Sequence, residues 1–288
     1  MSLTNQENRH QAAGGVSKRG VTIPRTAQWD MVSQEEKREY RIFVSVPASP
    51  PPEGGYPVLY TLDPNSVFGT LTEAVRVQGN RPEKSGVIPM LIVGIGYNAE
   101  VPFAPGRYYD YTLPADVSEL PARPDGSPWP KHGGADAFLR FIEQELKPVI
   151  EREYPVDRSK TALFGHSLGG LFVLHTLFTK PSAFRTYIAG SPSIHWSRRL
   201  FDEEERDFVR RCNAQGVEAS LFIGVGGLEG SHKSRMVDNA RELAERLAPL
   251  EGKGLKLRFH EFPDEGHVSV LPPLVSRAVR FASNGEIR

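Results

Sequence analysis

The chain has 288 residues, of which 39% are hydrophobic and 24% charged, and its 35 basic residues balance its 35 acidic residues. This length and composition are sufficient for one α/β domain with a sizeable apolar core. Zero net charge, with no basic stripe or tail, argues against a nucleic-acid or anionic-membrane partner. The single cysteine, Cys212, excludes an internal disulfide and indicates no metal site.

The N-terminal residues 1–20 are polar and lack the apolar stretch of a signal peptide, so we predict a flexible tail. No apolar run in the chain reaches membrane-spanning length. A cytoplasmic location is therefore the default expectation. Residues 21–288 show no internal repeat and are predicted to form a single domain.

The first half of this domain contains strand-like segments and one helix. Residues 21–46 predict two or three antiparallel strands. Apolar runs at 57–62 and 87–95 predict buried strands, with a helix at 67–78 between them. Segment 97–134 has no clean periodicity and contains seven prolines, which predicts a long loop. Loops of that length are usually functional or disordered.

From residue 135 onward, helix-like and strand-like segments alternate. In chain order they are helix 135–152, strand 161–164, a helix beginning near 171, strand 186–189, helix 201–211, strand 220–225, helix 238–247, strand 255–262 and helix 271–281. Buried strands that alternate with helices predict a mostly parallel sheet covered by helices on both faces.

The pentapeptide Gly-His-Ser-Leu-Gly at residues 165–169 lies between the predicted strand 161–164 and the apolar run 171–174. The pattern G-x-S-x-G between a strand and a helix is typical of a nucleophile elbow, a sharp turn that raises the serine hydroxyl above the sheet edge. We therefore predict that Ser167 is a nucleophile.

A serine nucleophile needs a histidine base and an acid that orients the histidine. After this type of elbow they follow in the order acid, then histidine. Glu229 comes just after a predicted strand and is our first choice for the acid. His267 lies in the loop after the next strand and is the predicted base. Asp264 and Glu265, close to His267 in sequence, are the alternative acids.

An ester hydrolase also needs donors for the oxyanion of its tetrahedral intermediate. The backbone N–H of Leu168, directly after the nucleophile and near a helix start, is the first predicted donor. The loop after the 57–62 strand should supply the second, and because Pro64 has no N–H, Asn65 is the best candidate there. The alternative is that Asn65 only caps a helix.

Several further segments accompany the elbow. They are Leu62-Asp63, Gly94-Ile95-Gly96-Tyr97, Arg107 followed by Asp110-Tyr111-Thr112, Gly133-Gly134-Ala135-Asp136-Ala137-Phe138, Ser191-Pro192-Ser193-Ile194, Val225-Gly226 with Glu229, and Gly266-His267-Val268-Ser269-Val270. Together they resemble the putative-esterase branch of the α/β-hydrolases, which holds siderophore esterases, S-formylglutathione hydrolases and mycolyltransferases. The greatest likeness is to esterases of ferric enterobactin and salmochelin, which are catecholate trilactones, and it covers about residues 40–281.

The resemblance implies an α/β-hydrolase fold and a serine hydrolase that works through an acyl-enzyme. Three positions depart from the family pattern. Pro64 stands where glycine is frequent, and Gly227 stands where an acid often follows Val-Gly. His195-Trp196 replaces a tryptophan pair in a region that shapes the pocket for catechol rings in siderophore esterases.

An anionic ferric catecholate would need arginine and aromatic faces in its pocket. Arg107 and Trp196 are the leading candidates, together with Tyr108, Tyr109 and Trp129. The alternative is that these residues only pack loops or lie on the surface.

Two histidines complete the predicted substrate-binding set. These are His166 beside the nucleophile and His195 beside Trp196.

We predict hydrolysis of carboxylic esters, of the siderophore trilactone type. The alternatives are a general carboxylesterase for small acyl esters or thioesters, and a non-catalytic binding protein of the same fold. The expected partner is a small-molecule ester, with a ferric siderophore as one candidate. No cofactor or protein-bound metal is predicted, since any iron would arrive with the substrate.

Overall fold

The computed structural model describes residues 20–120, 123, 126–231 and 233–284. The predicted tail lies outside the described residues except for Gly20, so the division into a tail and one domain stays a prediction. Within the described ranges, no helix combines the length and the apolar character needed to cross a lipid bilayer.

The centre of the described structure is an eight-stranded sheet with the strand order β1-β2-β4-β3-β5-β6-β7-β8. The strands are β1 Thr26–Val32, β2 Glu39–Ser45, β3 Tyr56–Leu62, β4 Leu91–Gly96, β5 Val156–His166, β6 Thr186–Gly190, β7 Ala219–Gly226 and β8 Leu255–Phe262. Strands β3 to β8 pair in parallel, while β2 runs antiparallel to both β1 and β4. The prediction of a mostly parallel sheet is confirmed.

Helices cover both faces of this sheet. They are α1 Pro64–Gln78, α2 Pro82–Ser85, α3 Arg107–Asp110, α4 Ala135–Phe141, α5 Lys147–Glu153, α6 Leu168–Thr179, α7 Arg198–Gln215, α8 Met236–Leu247 and α9 Leu271–Asn284. Short 3-10 turns lie at Val117–Glu119, Gly227–Ser231 and Ala248–Lys253.

The apolar core is divided by the sheet into two layers. Helices α1 and α9 contribute to one layer, and α4 to α8 contribute to the other. Successive strand residues alternate between the layers, because side chains of a strand point to opposite faces. In β5, for example, Leu163 packs in one layer, and Ala162 and Phe164 pack in the other. This is the α/β-hydrolase fold.

Prolines explain three differences from the predicted elements. The predicted strand 87–95 begins only at Leu91, because Pro89 cannot donate a ladder hydrogen bond. Helix α1 begins at Pro64 rather than at residue 67, since proline suits the first turn of a helix. The predicted helix 135–152 contains a π turn over Ile142–Leu146, where Pro148 cannot donate to the preceding turn.

The segment 97–134, predicted as a long loop, contains the short helix α3. Among its described residues, Asp110 of α3 contacts residues of the sheet and of the loops beside it. The buried carboxylate of Asp110 accepts hydrogen bonds from Tyr40 (3.0 Å) and Tyr97 (2.7 Å) and pairs with Arg38 at 2.8 Å. These contacts fix α3 beside the carboxyl ends of β3 and β4, where it forms one side of the site.

Candidate active site

Ser167 lies in a strained turn between β5 and α6. Its backbone angles are φ 61° and ψ −118°, a conformation that non-glycine residues seldom adopt. The flanking glycines make the turn possible, because a Cβ atom on Gly165 would overlap the carbonyl oxygen of Gly169. The local geometry is that of a nucleophile elbow, with the hydroxyl above the sheet edge.

The structure brings Ser167, His267 and Glu229 into one hydrogen-bonded row. Nε2 of His267 lies 3.0 Å from the Oγ atom of Ser167, and Nδ1 of His267 lies 2.6 Å from Oε2 of Glu229. Each residue follows a parallel strand, and the carboxyl ends of those strands share one edge of the sheet. The row has the hydrogen-bonding order that allows a histidine to take a proton from a serine.

Glu229 is held as a buried, ionised carboxylate. Oε1 accepts hydrogen bonds from Oγ of Ser191 at 2.6 Å and from the N–H of Gly226 at 2.8 Å. Burial alone would raise the pKa of this carboxyl, but the hydrogen bonds from His267, Ser191 and Gly226 outweigh burial and hold it below its usual value. Of the candidate acids, it is Glu229 that contacts the imidazole. Asp264 is exposed on the loop that carries His267.

The two predicted oxyanion donors occupy different places. Leu168 is the first residue of α6 and lines the pocket beside Ser167, so its N–H has no partner within the helix. Asn65 lies in the first turn of α1, where its amide donates to the carbonyls of Tyr97 (3.0 Å) and Ala99 (2.7 Å). The described lining of the pocket does not include Asn65. The Asn65 side chain therefore faces the loop after β4, and the donor role expected of the Asn65 backbone N–H stays a prediction.

The row opens into a pocket of about 500 Å³. One wall carries a cation and aromatic rings, and the other is formed by smaller and aliphatic residues from the segment after β7. The described lining is Arg107, Tyr108, Trp129, Ser167, Leu168, Ser193, His195, Trp196, Leu228, Glu229, Ser231, Ser234, Met236 and His267.

Arg107 is the cation of the first wall, and it is fixed by a buried ion pair. Nε and Nη2 donate to the two carboxylate oxygens of Asp63 at 3.0 and 2.9 Å. Nη2 also donates to the backbone carbonyl of His166 at 3.2 Å. The guanidinium therefore has one fixed orientation beside the nucleophile, and its substrate-binding role stays a prediction.

Three aromatic residues continue this wall. Trp196 is 1% exposed, and its ring packs edge-on against that of Trp129 with the centroids 4.7 Å apart. The ring of Trp129 in turn packs against that of Tyr108, with the centroids 5.7 Å apart. His195 also lines the pocket. Tyr109 does not belong to the described lining, and its hydroxyl donates to Glu36, between β1 and β2, at 3.0 Å.

His166 is placed differently from the prediction. Its ring is 3% exposed and lies behind the elbow, outside the described pocket lining, and contacts the backbone of His267. The residue before the nucleophile is the last residue of β5, and its side chain points away from the nucleophile toward the β8–α9 loop. A direct substrate contact is therefore not supported for His166.

Two serines near the row were missed by the sequence analysis as individual site residues. Ser191 supports Glu229, and the Oγ atom of Ser193 lies 3.4 Å from that of Ser167. The available signal was the segment Ser191-Pro192-Ser193 directly after β6, at the same sheet edge as the elbow.

Comparisons with known proteins agree with this geometry. The family described as "Putative esterase" matches residues 33–269. The ferri-bacillibactin esterase BesA of Bacillus subtilis is 57% identical over 269 residues, covering 93% of each chain. A siderophore enterobactin esterase of Emericella nidulans is 39% identical and covers 78% of this chain and 82% of its own. The crystal structure of the BES protein from Bacillus cereus superposes with a TM-score of 0.86 at 45% identity, covering 93% of this chain and 99% of that chain.

Proposed function

We propose that this chain, which belongs to the putative-esterase family and is an ester hydrolase, uses Ser167 to cleave siderophore esters of the catecholate trilactone type. The observation that carries the proposal is the row Ser167–His267–Glu229 at the mouth of a pocket with a cationic and aromatic wall.

The first step is attack on the ester carbonyl. His267 accepts the proton of Ser167 through Nε2 as the Oγ atom forms a bond to the carbonyl carbon. Glu229 holds the Nδ1–H tautomer of His267 and stabilises the imidazolium that forms. Because the pKa of Glu229 is depressed, this carboxylate keeps its charge throughout the neutral range.

The negative charge that develops on the carbonyl oxygen requires donors that are already in place. The N–H of Leu168 at the start of α6 is the first donor, and the dipole of this helix adds to its effect. Loss of one such donor typically raises the barrier by about 2.7–4 kcal/mol.

The second step releases the products. Imidazolium His267 donates its proton to the leaving alkoxide, which gives the free alcohol and an acyl-enzyme on Ser167. His267 then takes a proton from water as the water oxygen attacks the acyl carbon. It returns that proton to Oγ of Ser167 as the bond between Oγ and the acyl carbon breaks and the acid leaves. In a cyclic trilactone the alcohol and the acid belong to one molecule, so a single cycle linearises the ring.

The pocket wall supports an anionic, aromatic substrate. The guanidinium of Arg107, whose charge is paired with Asp63, lies fixed in this wall, while Tyr108, Trp129 and Trp196 contribute aromatic rings to the lining. Catecholate groups match both features, since they combine negative charge with a flat ring. The ferric ion would enter as part of the substrate. A cytoplasmic location stays a prediction from the sequence.

The test is a rate comparison on purified protein with iron-free enterobactin, ferric enterobactin and p-nitrophenyl butyrate. We expect the trilactones to be linearised with a kcat/KM well above that for the butyrate ester, and Ser167→Ala to abolish both reactions. Turnover of the butyrate ester without trilactone hydrolysis would instead indicate a general carboxylesterase. Full activity in Ser167→Ala would refute the nucleophile.

A further inference from the structure

The imidazole of His166 is a buried polar group that the proposed reaction does not use. It lies at the end of β5, directly before Ser167, and is 3% exposed. Its Nε2 atom lies 2.7 Å from the backbone carbonyl oxygen of His267, and the two rings are 4.7 Å apart between centroids. The His166 ring thus connects the elbow with the backbone of His267, the proposed base, which lies 101 positions further along the chain.

The chemistry of this contact fixes the tautomer of His166. Burial lowers the pKa of the imidazole to about 3, and the neighbouring His267 and Arg107 act in the same direction. The ring is therefore neutral at working pH. Since a carbonyl oxygen only accepts, the proton must reside on Nε2. The Nδ1 atom is buried and has no hydrogen-bond partner in the part of the chain that the structure describes.

The loop that carries His267 is partly exposed to solvent. The side chain of His267 is 41% exposed, and the next residue, Val268, is 59% exposed. Elsewhere the loop is held by the N–H of Leu228, which donates to the carbonyl of Glu265 at 3.0 Å, and by two bonds at Gly266. Its N–H donates to Oγ of Ser269 at 2.9 Å, and its carbonyl accepts from the N–H of Val270 at 3.1 Å. The contact from His166 holds the main chain of His267 itself. A base displaced by about 1 Å can cost a reaction roughly 10²-fold in rate.

We infer that His166 is a positioning residue for the base: its Nε2–H, donated to the carbonyl of His267, holds the His267 main chain over the elbow so that the imidazole stays within reach of Ser167. The inference rests on the proposed function of Ser167 and His267. It replaces the substrate-binding role that the sequence suggested for His166.

A matched pair of variants isolates the donor. The side-chain amide of glutamine can reach the position of Nε2, whereas that of asparagine can reach only the position of Nδ1. We expect His166→Asn to lower kcat at least about tenfold with KM within about twofold of the wild type. His166→Gln should retain kcat within about threefold. A raised KM with unchanged kcat would indicate a substrate contact and overturn the inference.

A substrate-independent readout separates this inference from the proposed function. The rate at which a fluorophosphonate modifies Ser167 depends on the base but not on recognition of a siderophore. Absence of modification in the wild type would refute the proposed nucleophile. Modification of the wild type and of folded His166→Asn at equal rates would refute the positioning role alone. If thermal unfolding shows that the asparagine variant is not folded, His166→Met, which fills the space without a donor, takes its place beside His166→Gln.

Discussion

The reacting groups and the cationic wall of the pocket are held in place by different means. Ser167, Glu229 and His267 follow closely on the ends of β5, β7 and β8, so the order of strands in the sheet brings them together. Arg107 follows β4 only after an irregular stretch and is held by its buried ion pair with Asp63. The strand order of the sheet brings the reacting groups together and the contact from His166 refines the position of the base, whereas Arg107 in the recognition surface, which does not directly follow a strand, is held by a polar contact.

The first way to test this comparison is to remove the reacting groups. Ser167→Ala and His267→Ala should each lower kcat by about 10⁶-fold, and the double variant should be little worse, because groups that act as a unit are not additive. The melting temperature should stay close to that of the wild type. The measurements are steady-state hydrolysis and thermal unfolding, and additive losses in the double variant would contradict a shared step.

The next largest effect concerns the acid. Glu229→Ala should lower kcat by about 10⁴-fold, less than loss of the base, since removal of the orienting acid leaves nucleophile and base in place. Asp264→Ala is the matched control on the neighbouring loop and should leave kcat nearly unchanged. Hydrolysis rates for the two variants decide the assignment, and a greater loss in Asp264→Ala would show that Glu229 is not the acid.

A third test addresses the ion pair between Arg107 and Asp63 in the pocket wall. Arg107→Met removes the partner of the buried Asp63 carboxylate, so unfolding free energy should fall by about 3–5 kcal/mol. Arg107→Met combined with Asp63→Asn should recover much of that stability, because no buried charge is left unpaired. Urea denaturation measures both variants. In the folded double variant we expect a raised KM for an anionic trilactone with a smaller effect on kcat, and an unchanged KM would contradict the recognition role.

The contrast between the two regions also explains what the sequence could predict. The elbow and the approximate strand positions depend on local patterns, which one sequence displays directly. The preference for Glu229 over Asp264 and Glu265 depends on its short connection after a strand. The placements of Asn65 and His166 depend on the direction in which a side chain points when distant segments pack. The Asn65 amide faces residues 97–99, and the His166 ring faces the loop after β8, so neither direction is visible in the local pattern.

The smallest expected effect concerns the stability of the fold and comes from His175, a buried residue of α6. Nδ1 of His175 lies 3.0 Å from the carboxylate of Glu204, and Nε2 lies 3.4 Å from Asp136. Burial alone would lower the pKa of His175, but the two carboxylates raise it to about 9. Its contribution to stability, at most about 3 kcal/mol, is complete below pH 6.5 and is lost as the pH rises through 9.

This contribution can be measured by urea denaturation between pH 6.5 and pH 9.5. The stability of the wild type should fall across this range more steeply than that of His175→Gln, which has no titrating group at this position. Parallel curves for the two proteins would show that the imidazolium does not stabilise the fold. Because the cluster lies outside the pocket, the KM of His175→Gln should match that of the wild type.

The central claim is that His267 activates Ser167, and covalent labelling with a fluorophosphonate, located by peptide mass spectrometry, tests it most directly. The account predicts one rapid adduct, on Ser167, whose formation is almost abolished in folded His267→Ala. An adduct on a different residue, or labelling of Ser167 that proceeds at the same rate without the imidazole, would contradict it.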